Sequence, residues 1–96
     1  MSRVARSLQS RGFRVVPVNG ELGPIDLLAF KHNQARAIHV SEFAMSDETQ
    51  GELTALQHEF SWFNVLAYVV SPGTKKALVF CTDSTKPYRA TEELSE

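Results

Sequence analysis

Apolar residues along this chain recur in two rhythms, one helical and one of strands. Val4, Ala5 and Leu8 form a short stripe at helical spacing, which predicts a helix over Ser2–Ser10. Gly12 follows where a helix commonly stops in a left-handed residue. Phe13–Val18 reads as a strand, and Pro17 suits an edge or strand end because it has no N–H to give a neighbour. Asn19-Gly20 is a turn signal, and Gly23-Pro24 is a second break. Two further strands are expected over Ile25–Lys31 and Arg36–Phe43, joined by a turn at His32–Gln34.

The clearest helix start comes next. Ser46 or Asp47 can cap it, and Asp47 with Gln50 has capping-box spacing. Leu53, Leu56, Phe60 and Phe63 follow at helical intervals as its core face, with an end expected near Asn64. Gly51 costs about 1 kcal/mol against Ala in the first turns. Val65–Val70 and Lys76–Thr82 are apolar strands separated by the turn Ser71-Pro72-Gly73. Val65–Val70 and Ala77–Cys81 do not alternate with polar residues, which suits strands covered on both faces. Beyond Lys86 the pattern supports one short helical turn at Thr91–Leu94, or no regular structure.

The order α-β-β-β-α-β-β defines an α/β (α+β) chain with a single mixed sheet and a helix on each side. With 96 residues the chain is read as one domain, 1–96, with residues 84–96 as a flexible acidic tail. A hydrophobic fraction of 43% sustains a packed core and argues against disorder. Its single cysteine, Cys81, lies in an apolar run and cannot close an internal disulfide. The expected setting is reducing and intracellular (cytoplasmic), with neither a signal peptide nor a membrane span. A net charge of −1 says little about partners, but its distribution is uneven. Arg3, Arg6, Arg11 and Arg14 precede the first acid, Glu21, and form a candidate phosphate-binding patch or an ordinary solvated face.

Candidate chemistry concentrates between Gly23 and Ala44. Asp26 interrupts an apolar strand, and a charge there needs a partner. His39 and Ser41 share one face of the next strand because side chains alternate with period two. A hairpin of the two strands puts Asp26 on that same face. Asp26 is thus either part of a site or a strand-start acid that accepts backbone hydrogen bonds. His39 with Ser41 is no catalytic triad, and His32, His39 and His58 are too scattered for a metal motif. Trp62 leans off the core stripe; it suits base stacking less well than a protein contact.

Gly23, Ile25, Asp26, Leu27, Leu28 and Ala29 resemble the G-x-I-D-L-L-A strand of the PD-(D/E)xK nuclease superfamily, in particular its compact archaeal Holliday-junction-resolvase-like and restriction-endonuclease-like members. That resemblance implies a restriction-endonuclease-like fold, with Asp26 as a metal-binding acid. The family's E-V-K positions then fall on His39, Val40 and Ser41, so its Glu and Lys are replaced. The first helix offers no Glu either. The implied function is a catalytically degenerate nuclease-fold domain kept to bind DNA, RNA or a protein partner, without a cofactor. One alternative is an active endonuclease using Mg2+ or Mn2+ at Asp26 with Glu21 or Glu42. Another is a structural subunit. A homodimer is expected, with Trp62 and Val65–Val70 as candidate contacts.

Overall fold

The computed structural model describes residues 3–43, 45–81 and 89–94. Helix α1 spans Arg3–Ser10 and buries Val4, Ala5, Ser7 and Leu8. It ends where Phe13 donates its N–H to the Leu8 carbonyl at 3.0 Å, with Gly12 at φ +93°. That reversal needs a left-handed residue, which glycine adopts without a Cβ clash. Strand β1 (Arg14–Pro17) pairs antiparallel with β2 (Leu27–Lys31), with Val16 opposite Leu28. Among the described residues no strand pairs with its other side, so Pro17 sits at the end of an edge strand.

Strands β2 and β3 (Gln34–Ser41) form the expected antiparallel hairpin, closed tightly by His32 and Asn33 between Lys31 and Gln34. His32 takes a positive φ of +48°, a conformation that a tight hairpin imposes. Helix α2 (Asp47–Glu59) then returns the chain to β4 (Asn64–Val69), which runs parallel to β3. A parallel neighbour needs such a crossover, because a tight turn can only reverse direction. β5 (Lys76–Cys81) and β6 (Arg89–Glu93) add antiparallel, giving one mixed sheet in the order β1-β2-β3-β4-β5-β6.

Each face of the sheet holds a core under one helix. Val4, Ala5 and Leu8 of α1 pack on Leu27, Ala29, Ile38, Leu66, Tyr68 and Val79. On the other face Leu53 of α2 packs on Ile25, Ala37, Val65 and Ala67. Strand β4 therefore alternates between two cores, which explains its unbroken apolar run.

Three expectations are corrected, and one choice between two caps is decided. Residues 89–93 form β6 and Leu94 is buried, so this part of the expected acidic tail belongs to the sheet rather than to a helical turn or a flexible end. Arg89–Glu93 completes the hydrogen bonding of β5, which would otherwise be an edge. The cap of α2 is Ser46, whose side chain accepts the Thr49 N–H at 3.2 Å, instead of Asp47 paired with Gln50. The helix stops at Glu59, so Phe60 caps it and Phe63 lies beyond it. Finally, β4 is central and buried, so Val65–Val70 offers no surface for a dimer. Trp62, by contrast, is 69% exposed.

Leu53 is the buried residue of α2 and carries much of its docking. Leu53→Ala is expected to cost about 2–5 kcal/mol in urea unfolding at unchanged m-value, because the cavity forfeits its contacts. A loss under about 1 kcal/mol would mean that α2 is held by other groups.

Candidate functional site

Asp26 enters the sheet one residue before β2. Its N–H donates to the Ile38 carbonyl at 2.8 Å, and its carbonyl accepts the Val18 N–H at 2.9 Å. The backbone thus continues the hairpin ladder and places the Asp26 carboxylate beside β3. Asp26 Oδ2 accepts the Val40 N–H at 2.8 Å and lies 3.4 Å from His39 Nδ1. His39 Nδ1 also lies 2.6 Å from the Pro24 carbonyl oxygen. A carbonyl only accepts, so Nδ1 carries a proton and donates it there. Asp26 and His39 are therefore neighbours, and both are tied into the hairpin. The Asp26 side chain does accept a backbone hydrogen bond, though from β3 and not from its own turn.

Ser41 instead serves the local backbone. Its hydroxyl accepts the Phe43 N–H at 3.0 Å and donates to the Phe43 carbonyl at 2.5 Å. That pair closes the turn that ends β3. Glu21 accepts the Asn19 N–H at 2.8 Å within its own loop. Glu42 is exposed and borders a cavity of about 290 Å³ at the ends of β3 and β4, together with Arg3, Val40 and Ser71. Among the described residues, no three of His, Cys, Asp and Glu converge as a metal centre requires.

The four early arginines do not form one patch. Arg3 donates to the Thr74 carbonyl beside that cavity. Arg11, at the other end of α1, pairs with Glu92 at 3.0 Å. Arg6 and Arg14 are exposed on α1 and β1.

A buried polar cluster went unread in the sequence. Tyr68 is 1% exposed, and its hydroxyl accepts from Arg36 Nη1 and donates to Glu92 Oε2, each at 2.8 Å. Arg36 also lies 3.4 Å from Glu92 Oε1. Arg11, Lys31 and Arg36 set their charges 5.9, 5.4 and 4.8 Å from the centre of the Phe13 ring. The one signal was Tyr68 itself: a phenol inside an apolar strand needs a buried partner. Its partners come from β3 and β6, far away in the chain.

The mixed sheet with one helix on each face has a restriction-endonuclease-like fold. A solved structure of that fold is similar over most of its length: Hjc, a Holliday junction resolvase from the archaeal hyperthermophile Archaeoglobus fulgidus. The TM-score is 0.66 at 17% identity, covering 93% of this chain and 83% of that one. No family model matches the chain, and no curated protein matches it in sequence. No helix among the described residues is long and apolar enough to cross a membrane.

Burial is the main force that raises the Tyr68 pKa well above its ordinary value; the hydrogen bond to Glu92 adds to it, and Arg36 opposes it. The unfolded phenol ionises near pH 10 and the folded one later, so Tyr68 stabilises the fold below that pH and less as pH climbs above it. Tyr68→Phe is expected to lose about 1–3 kcal/mol at neutral pH, since Arg36 and Glu92 forfeit a buried partner. Its stability should also fall less steeply than wild type above about pH 10 in parallel denaturant titrations. Identical slopes would remove Tyr68 as the source of that dependence.

Proposed function

We propose that this chain is a nuclease-fold domain with a degenerate catalytic centre, retained to bind nucleic acid. The observation that carries this reading is the Asp26 carboxylate, which accepts the Val40 N–H and adjoins His39. In the resembling nucleases, an acid and a lysine of the third strand would stand where His39 and Ser41 stand here. A hard divalent cation takes oxygen ligands, and imidazole suits softer metals. Ser41 brings no charge to orient water or to offset charge on a phosphate. Its hydroxyl is already engaged with the Phe43 backbone. Binding, by contrast, needs only cations directed at phosphates, and Arg6 and Arg14 are exposed for that role.

Metal titration followed by thermal unfolding tests the site. Wild type is expected to gain no stability from Mg2+ or Mn2+ and to cleave neither duplex, four-way junction nor single-stranded DNA. His39→Glu sets a second carboxylate beside Asp26, and two close carboxylates repel until a cation relieves them. That variant should lose metal-free stability and recover about 2.7 kcal/mol at a Mn2+ concentration of 100 Kd. Cleavage by wild type with Mg2+, abolished in Asp26→Ala, would instead establish an active endonuclease built on Asp26 with Glu21 or Glu42. For the binding role, Arg6→Ala with Arg14→Ala should flatten the salt dependence by about one unit per lost phosphate contact. An unchanged slope would return both arginines to the solvated surface.

A further inference from the structure

Two exposed rings, Phe30 and Trp62, and several cations gather around the tip of the β2–β3 hairpin. Phe30 packs edge-on against Phe63 with ring centres 6.0 Å apart, and Trp62 leans on Phe63 at 4.2 Å. Phe30 is 37% and Trp62 69% exposed, so both outer rings of the row reach solvent. Arg14 is the direct cross-strand partner of Phe30, so its exposed side chain stands beside the row on the same sheet face. Behind it, on the opposite face, Arg11, Lys31 and Arg36 surround Phe13. Glu92 balances only part of that charge. Neither residues 3–18 nor residues 27–41 contain an acid. The acids near α2 collect elsewhere: Glu21, Glu52 and Glu59 border a separate groove between the Glu21–Pro24 loop and the helix.

We propose that the hairpin tip is a binding surface for a single-stranded polynucleotide, with bases stacked on Trp62 and Phe30 and phosphate held by Arg14. This deepens the nucleic-acid reading above and rests on it. The surface lies away from Asp26, which enters β2 at that strand's other end. Stacking on a side chain requires a base face free of its paired neighbours, which selects single strands over duplex. Rings beside a guanidinium match a base and its phosphate together. A duplex would meet only the cations.

Trp62 is the single tryptophan of the chain, so its fluorescence reports this surface alone. The test titrates the full chain with oligothymidylate and oligouridylate of about 12 nucleotides, and with a duplex of equal length, following emission and anisotropy together. Both single strands are expected to quench Trp62, and the duplex to leave it nearly unchanged. Trp62→Ala should weaken single-strand binding by about 10-fold or more when anisotropy is read. Arg14→Ala should weaken it and flatten the salt slope by about one unit. Phe43→Ala removes another exposed ring, beyond the far end of β3, and should change nothing. Quenching by only one of the two polymers would restrict the surface to that sugar and still support it. Binding seen by anisotropy without any quenching, or equally tight in Trp62→Ala, would overturn the hairpin site and leave the nucleic-acid reading standing. No binding of any oligonucleotide would overturn both. A Trp62 signal that follows protein concentration, with a doubling of mass, would assign the rings to a second copy of the chain and overturn the proposal.

Discussion

Coverage of the central strands governs this molecule. β3 and β4 run parallel and send buried apolar residues to both faces, so each face of the sheet needs its own lid. Among the described residues two helices serve, one of 8 residues and one of 13. The short α1 covers its face with Val4, Ala5 and Leu8, and the Arg36–Tyr68–Glu92 cluster closes what it leaves. That cluster is polar, yet each member finds a partner, which keeps the cost of its burial low. On the other face α2 reaches inward with Leu53 and ends at Glu59. Phe30 and Trp62 are left in solvent around Phe63, and Val16 is exposed on β1. The exposed rings thus follow from the same shortage of helix that sets the two cores.

The hairpin links this architecture to the candidate site. Extending the β2–β3 ladder by one residue brings the Asp26 N–H to the Ile38 carbonyl. The side chain of Asp26 must then lie beside His39 and Val40, and it accepts the Val40 N–H. A carboxylate so engaged stabilises the hairpin whether or not it ever meets a metal. The hairpin ladder therefore fixes the position of the acid, while the residues around it decide its use. His39 and Ser41 each spend their polar atoms on backbone groups of neighbouring loops.

Local chemistry made much of this legible from the residues alone. The helical stripe and Gly12 announced α1, and Ser46 stood as one of two candidate caps for α2. The two apolar runs around His32 and Asn33 announced the hairpin, and its register put Asp26 beside His39 because alternation leaves no other face. The unbroken runs of β4 and β5 announced burial on both sides. These features depend on neighbours within a few residues, where spacing and steric preference suffice. What the tertiary structure alone decided depends on contacts between distant segments. Arg89–Glu93 is an unremarkable, partly acidic stretch until β5 offers it an edge to pair with. The four early arginines look like one patch in sequence, but the axis of α1 separates Arg3 from Arg11, and Arg11 pairs with Glu92. Phe60 and Phe63 continue a helical period that α2 abandons, because the chain must turn to enter β4. Tyr68 meets Arg36 and Glu92 across separations of 32 and 24 residues, and no local pattern encodes an encounter of that span.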